Sequence, residues 1–408
     1  MKYVVVLGDG MADEPIARLN GRTPLAYAET PALDALSRKS EIGMVSTIPK
    51  GMKPGSDTAN LSVMGYDPKQ YYSGRSPLEA LSIGVPMKET DIAMRCNIVT
   101  LSEEEGIPFA DRRILDHSSG EIGTEECAVL LRAVMEKLDR APYHFYVGTS
   151  YRHCLIWEGG RVEELTPPHD VLGKEIGQYL PDDKRLREMM MESYEILKDH
   201  PVNRKRRSEG LNPANCCWFW GAGTRPSLPS FYDKTGKRGI MISAVDLLKG
   251  IAVGAGMDVA RVEGANGGLE TNYEGKTQAA LDALICGGYD FAYIHIEAPD
   301  EMGHQGSVEK KLKAIEYLDR RVVAPLTAGL DASGLDYRLM VLPDHPTPIR
   351  LRTHTAQSVP YLIYDSTAPQ KNDWSYNEAE GILSGNFFPE GPKLMEHFLG
   401  VKQPSYRL

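Results

Sequence analysis

Apolar residues recur along this chain in two rhythms. Short, nearly continuous apolar runs at residues 3–7 (YVVVL), 291–296 (FAYIHI), 337–342 (YRLMVL) and 360–364 (PYLIY) read as strands, buried on both faces as in a parallel sheet. Elsewhere the apolar positions fall at helical spacing. Residues 274–285 form one such segment, closed by Gly287-Gly288, and residues 309–330 place Leu312, Ile315, Leu318, Val322 and Leu326 on one face of a long helix. Thr30 as N-cap and Pro31 at the first helical position mark another start. A further helix is expected over 243–248, with Ser243 as its cap and Asp246 at its third position. Strands alternating with helices imply an α/β fold, a mostly parallel sheet flanked by helices.

The middle of the chain behaves differently. Residues 95–100, 143–147 and 151–157 read as strands, with a helix at about 125–138 separating the first from the other two. That strand-rich α+β pattern suits a smaller domain inserted at residues 88–180 into a core built from residues 1–87 and 181–408. A length of 408 residues, at roughly 150 residues per domain, accommodates two or three such units.

Composition narrows the class. Apolar residues make up 42% and charged residues 25%, as in soluble globular proteins. No apolar run approaches the roughly 20 residues of a membrane span. The N-terminal MKYVVVLGDGMADEP runs directly from a strand into Gly and Asp, without the cleavage site of a secretory signal, so a cytoplasmic protein without a membrane partner is expected. Net charge is −10, from 46 basic and 56 acidic residues, which disfavours nonspecific nucleic-acid binding. The basic run Arg204-Lys205-Arg206-Arg207 lies among Pro, Asn, Ser and Gly and reads as a solvated loop. Six scattered cysteines without a CxxC spacing read as reduced, small apolar fillers. Homo-oligomer formation is left open.

Chemistry-bearing residues gather where an α/β sheet puts its functional loops, beyond the carboxyl ends of strands. Asp9 follows the first strand; Asp300 and His304 follow the strand at 291–296, in APDEMGH; Asp344 and His345 follow 337–342, in LPDH; His354 comes a short loop later. Taken singly, a strand-end Asp often caps a helix and a His often belongs to the core. Three strand ends all carrying Asp or His point together to a metal site, whose mixed oxygen and nitrogen donors suit Zn²⁺, Mn²⁺ or Fe²⁺. His295, inside its strand, reads as a core or supporting residue, and Glu297 is ambiguous. Ser56 lies in the Gly/Pro-rich segment KGMKPGSDTAN near an expected helix start. It is either a plain N-cap or a metal-activated nucleophile for phosphorus.

The ordered set Asp9, Ser56, Asp300-x-x-x-His304, Asp344-His345, His354 resembles the alkaline phosphatase superfamily. Within it, GDGMAD, PGSDTANLSVMGYDP, YYSGRSPLEA, APDEMGH, PDHPTP, WFWGAG and AVDLLKGIAVGAGM resemble the archaeal-type branch of the cofactor-independent phosphoglycerate mutases. The resemblance covers almost the whole chain. It implies an alkaline-phosphatase-like core with two divalent ions, commonly manganese or zinc. Asp9, Ser56, Asp344 and His345 would hold one ion, and Asp300, His304 and His354 the other. Lys276, in LETNYEGK, would neutralise phosphoryl charge near Ser56. The inserted domain would be a substrate-binding cap, for which Arg95, Arg152 and His153 are the candidates. The substrate would be a small phosphorylated molecule: Ser56 takes the phosphoryl group from 3-phosphoglycerate, and the 2-hydroxyl of the enclosed glycerate recovers it.

One segment departs from the branch. Where archaeal-type mutases tend to carry Arg-Ala-Gly-Arg after an Asp, this chain has Asp116-His117-Ser118-Ser119-Gly120-Glu121. Glu121 would suit a cationic acceptor, as in family members proposed to phosphorylate homoserine, and that phosphotransferase is the alternative reading. No GxxxxGK[ST] motif is present for a nucleotide donor. A phosphate-ester hydrolase of the same superfamily and a catalytically inert metal-binding protein are further alternatives.

Overall fold

A computed structural model describes residues 1–400, which divide into two compact units: residues 1–72 with 228–400, and Ser73–Ser227. Strands β1 (Lys2–Gly8) and β2 (Glu41–Val45) precede the inserted unit. That unit contains β3 (Ile92–Leu101), β4 (Ile114–Asp116), β5 (Tyr143–Thr149), β6 (Arg152–Trp157) and β7 (Cys216–Thr224). Strands β8 (Gly239–Ile242), β9 (Asp258–Val259), β10 (Phe291–Ile296), β11 (Tyr337–Leu342), β12 (Val359–Asp365) and β13 (Phe387–Phe388) follow it.

The first unit is built on one sheet of order β13-β2-β12-β11-β1-β10-β8-β9. Strands β11, β1, β10, β8 and β9 run parallel, whereas β12 is antiparallel to both its neighbours. Its centre is apolar on both faces: Val4, Val5, Val6 and Leu7 of β1 are all inaccessible to solvent. Ile315, Leu318, Leu326 and Leu284 from the helices pack with Val4, Val6, Ile294 and Val341. Burial on that scale, about 25 cal/mol per Å² of apolar surface, is what holds the layers together. Register then fixes function. Leu7 pairs with His295 on one side and with Leu342 on the other, so β1, β10 and β11 end level and their loops emerge side by side.

Three local expectations change in the folded chain. The helix expected over 309–330 is two helices, Val308–Leu318 and Ala324–Ser333, joined by a widened π turn at Asp319–Val323. Pro325 lacks the N–H that a regular turn needs and crowds the carbonyl four residues back, which the wider turn relieves. Asp319, at that turn, accepts from Leu33 N (2.7 Å) and Ala32 N (3.2 Å). The helix Pro31–Ser37 is therefore capped from outside, and Thr30 occupies the cap position without a side-chain bond. Ser243 lies outside the helix Asp246–Gly254, whose N-cap is Val245; its hydroxyl accepts from Val245 N (3.0 Å) and lies 3.1 Å from His295 Nδ1.

The inserted unit is an antiparallel sheet in which β3 pairs with β6 and β7 and, at its far end, with β4, while β5 pairs with β6. Helices Thr124–Leu138 and Lys184–Leu197 supply Leu130, Leu131, Val134, Met189 and Met190 to a core shared with Ile98, Leu155, Trp218 and Phe219. The unit is wider than the 88–180 expected from sequence. β7 completes its sheet, the helix at residues 184–197 fills its core, and the helix Arg75–Ser82 packs on β3 and β7.

The basic run is also not a loop. It forms the last turns of the helix Pro201–Ser208. Arg206 is 3% exposed and donates to Glu126 (2.7 Å), Ser119 O (2.7 Å) and Asn212 O (2.7 Å). All six cysteines are free; five are buried and Cys286 is exposed. Among the described residues no helix is long and apolar enough to cross a membrane. Arg206→Leu strands two buried carbonyls and Glu126, and should lower unfolding free energy by about 2–4 kcal/mol. Urea unfolding followed by tryptophan fluorescence reads this, since Trp157, Trp218 and Trp220 of the chain's four tryptophans lie in this unit. Arg204→Leu, on the exposed face, should stay within about 0.5 kcal/mol; equal effects would contradict the structural role of Arg206.

Candidate active site

The level ends of β1, β10 and β11 deliver the acidic and imidazole groups to one place in the first unit. Asp9 continues β1, its N–H donating to Ile296 O (2.9 Å), and is 2% exposed. Gly10 turns the chain with φ of 58°. A Cβ there would sit 2.5 Å from both Asp300 Oδ1 and Thr347 Oγ1, so only glycine fits the turn. Its N–H donates to Asp344 Oδ1 (3.1 Å), which also accepts from His345 N (2.8 Å). Asp344 Oδ2 accepts from Asn60 Nδ2 (2.9 Å).

Ser56 enters from the helix Ser56–Val63. Gly55 holds the N-cap position in extended backbone, so Ser56 is the first helical residue and not the cap. Its Oγ lies 3.1 Å from His345 Nε2. The same nitrogen is 3.4 Å from Asp344 Oδ2 and 3.6 Å from Asp9 Oδ1. The free N–H groups and positive dipole end of this helix favour an anion beside Ser56.

A second group adjoins the first. Asp300 and His304 share the helix Ala298–His304, four residues apart and therefore on one face. Asp300 Oδ2 is 3.2 Å from His304 Nε2, and Asp300 Oδ1 is 3.4 Å from His354 Nε2. His304 Nδ1 lies 2.9 Å from Arg352 O. A carbonyl can only accept, so Nδ1 carries a proton; Nε2 donates to Asp300 when the ring is an imidazolium and presents a lone pair once that proton is lost. The same nitrogen lies 2.9 Å from His354 Nε2. The rings of His354 and His345 are 4.0 Å apart, and Asp300 belongs to both possible ion-holding groups, with His304 and His354 or with Asp9 and His345.

The electrostatics match converging donors. Burial first, then Asp344, Asp300 and Glu297, hold the Asp9 carboxyl well above the usual carboxylate range. Asp9 Oδ1 is buried without a hydrogen-bond partner. Burial also opposes ionisation of Asp300, but hydrogen bonds from His304 and His354 keep it well below that range. His304 is in turn raised to about 9, chiefly by its bond to Asp300. A surplus of buried carboxylate, an orphaned oxygen and facing imidazole nitrogens fit divalent cations.

Several partners of this set were not singled out from sequence. His295, read there as core or supporting, spans Asp9 Oδ2 (2.9 Å) and Ser243 Oγ (3.1 Å). Asn60 bridges Tyr293 OH (2.7 Å) and Asp344; its place one helical turn after Ser56 was the available signal. Thr347 donates to Asp300 Oδ1 and lies 3.3 Å from His345 Nδ1. Lys276 is inaccessible to solvent and donates to His295 O (3.1 Å), so it meets the site through the backbone of β10.

The three residues expected to bind substrate lie in the inserted unit and differ from one another. Arg95 is paired with Glu79 through two donors and stacked 4.4 Å over Trp220. His153 is 4% exposed, its Nε2 3.2 Å from Cys127 Sγ and its Nδ1 accepting from Gly148 N; burial pushes it down to about 4. Both its nitrogens are engaged in the core, which leaves none for a ligand. Arg152 is exposed, over the Tyr151 ring at 5.0 Å. In the departing segment, Asp116 accepts from Ser118 N, Gly120 N and Asn212. Ser119, Gly120 and Glu121 all have positive φ.

The chain is similar to known proteins over nearly its whole length. Residues 37–203 match the family model described as 2,3-bisphosphoglycerate-independent phosphoglycerate mutase. A Geobacter sulfurreducens protein named a probable 2,3-bisphosphoglycerate-independent phosphoglycerate mutase is 46% identical, covering 98% of this chain and 100% of its own. The mutase of that name from Methanosarcina barkeri is 48% identical over 95% of this chain and 96% of its own. Among solved structures, a Pyrococcus horikoshii protein superposes with a TM-score of 0.81 at 29% identity, covering 100% of this chain and 99% of that one. The cofactor-independent phosphoglycerate mutase of Thermoplasma acidophilum gives 0.67 at 26% identity, covering 98% and 100%.

Burial lowers Lys276 to about 8, with Glu297 opposing and Lys249 assisting. An amine whose pKa is depressed on folding destabilises the folded state while both states are protonated. That cost is relieved as pH rises through the folded value toward the unfolded one, near 10.4. The metal-free protein should therefore gain stability between about pH 8 and pH 10.4 relative to Lys276→Met, as measured by thermal unfolding across pH. Parallel profiles would show that Lys276 is not the depressed amine.

Proposed function

Because the chain belongs to the 2,3-bisphosphoglycerate-independent phosphoglycerate mutase family, it is a phosphoglycerate mutase, and we propose that it exchanges the phosphoryl group between the 3- and 2-hydroxyls of glycerate through Ser56. The observation that carries this reading is Ser56 Oγ 3.1 Å from His345 Nε2, at a helix start, among Asp and His donors gathered from three strand ends.

In this reading Asp9, Ser56, Asp344 and His345 would hold one divalent ion, and Asp300, His304 and His354 a second, with Mn²⁺ or Zn²⁺ suited to such donors. When bound, the ions supply positive charge that acidifies the serine hydroxyl and offsets charge on the phosphoryl oxygens. Ser56 Oγ attacks phosphorus, the bond to the 3-oxygen breaks, and the 3-hydroxyl is reprotonated. The retained glycerate reorients, its 2-hydroxyl attacks the phosphoserine, and Ser56 recovers its proton. The helix start at Ser56 favours the anionic phosphoryl group. His295 and Asn60 hold Asp9 and Asp344 in place throughout. Lys276, lowered to about 8 by burial, still carries most of its charge near pH 7 and would offset phosphoryl charge near Ser56.

Water must be kept from the phosphoserine, since its hydrolysis would turn the mutase into a phosphatase. The inserted unit serves as the substrate-binding cap in this reading. Arg152, exposed on Tyr151, is its foremost cation for the substrate; Arg95 contributes only by exchanging its pairing with Glu79. A cytoplasmic setting in glycolysis and gluconeogenesis accords with relatives named for this activity.

With Mn²⁺ and no added bisphosphoglycerate, the purified protein should interconvert 3- and 2-phosphoglycerate, and labelled phosphate should be trapped on Ser56. Ser56→Ala should lower the rate at least about a thousandfold while far-ultraviolet circular dichroism stays unchanged. Turnover surviving in Ser56→Ala would remove Ser56 as nucleophile. ATP-dependent phosphorylation of homoserine, without phosphoglycerate turnover, would replace the mutase reading altogether.

A further inference from the structure

Behind the ligand-bearing loops lies a buried ammonium that this mechanism does not use. Lys311, near the start of the helix Val308–Leu318, is inaccessible to solvent. All three of its hydrogens are taken: by Asp13 Oδ2 (2.8 Å), Thr347 O (2.9 Å) and Ala12 O (3.3 Å). Asp13 is itself buried and accepts from Ile349 N and Glu14 N. A fully buried pair of this kind is costly to desolvate and is a poor source of stability compared with apolar packing. What it does fix is position.

The positions it fixes are those of two loops. Ala12 and Asp13 belong to the loop after β1, which carries Asp9; Thr347 and Ile349 belong to the loop after β11, which carries Asp344 and His345. The two loops also meet through Thr347 N→Ala12 O (3.2 Å) and through bridges of Met11 and Ala12 to Pro346. Lys311 is the only charged side chain, among the described residues, that is hydrogen-bonded to both of Ala12 O and Thr347 O. Thr347 continues the chain of contacts, since its carbonyl accepts from Lys311 while its hydroxyl donates to Asp300 Oδ1 and faces His345 Nδ1. One ammonium therefore reaches the carboxylate shared by both ion-holding groups through a single residue.

We propose that Lys311 is a positioning residue for the divalent-cation centre: paired with Asp13, it staples the β1 and β11 loops and, through Thr347, sets the orientation of Asp300 and His345. The inference rests on the two-ion reading above, and metal affinity tests the two separately. Partners that orient metal ligands typically change affinity 10–100-fold when removed.

The experiment is calorimetric titration of Mn²⁺ into metal-stripped, full-length protein. Wild type should bind two ions. Lys311→Met should bind about 10–100-fold more weakly with unchanged circular dichroism, and saturating Mn²⁺ should restore most of its turnover. Thr347→Val, which removes only the hydroxyl, should lose part of the affinity, and Thr347→Ser should keep it. A folded Lys311→Met variant with wild-type affinity would overturn the inference alone. Should Lys311→Met fail to fold, Thr347→Val decides: wild-type affinity there overturns the proposed route, and weakened affinity rescued in Thr347→Ser supports it. A wild type that binds no divalent ion would overturn the two-ion reading and this inference with it.

Discussion

Crowded negative charge at one end of a parallel sheet is the constraint on which the rest of this site depends. Asp9, Asp300, Asp344 and Glu297 come close enough that Asp9 is held well above the carboxylate range by burial and by the other three. Such an assembly persists only if cations and hydrogen-bond donors offset it. The donors are visible for the three aspartates: His295 for Asp9, Asn60 and Gly10 N–H for Asp344, Thr347 and the two histidines for Asp300. The polar groups around the centre thus hold its carboxylates in place. Under the proposed two-ion reading, these bonds would prepare the charge density for a cation.

That preparation follows from the register of the sheet. β10, β1 and β11 are parallel and in step, so residues at or just past the strand ends become neighbours although 286 or 334 positions separate them in sequence, as the bonds between Asp9 and His295 and between Gly10 and Asp344 show. The centre of the sheet is apolar on both faces, which makes slippage of one residue costly. Core packing therefore sets the ligand geometry, and the short loops need only the glycine at position 10 to bring donors within reach.

The inserted unit follows another logic. Its sheet is antiparallel, and many of its basic and imidazole groups are spent internally: Arg206 on Glu126 and two carbonyls, Arg95 on Glu79, His153 on Cys127 and the Gly148 amide. The segment Asp116–Glu121, where the sequence departs from the archaeal-type pattern, is held by Asp116 and Arg206 in a run of left-handed residues.

The sequence alone determined the core elements and singled out the candidate metal-binding residues. Strand 291–296 and the helix near 274–285 could be read because fully buried strands and one-sided helices leave local periodicities. Asp9, Asp300, His304, Asp344, His345 and His354 stood out because strand ends are where α/β sheets keep chemistry. Tertiary structure decided what has no local signature. Arg206 looked solvated because its partners, Glu126 and Ser119, lie some 80 residues away. His153 looked available until both its nitrogens met the core. The inserted unit runs to Ser227 because β7 pairs with β3 across more than a hundred residues. Periodicity encodes how a segment faces its own sheet or helix; which distant groups satisfy a buried charge is settled only when the elements pack.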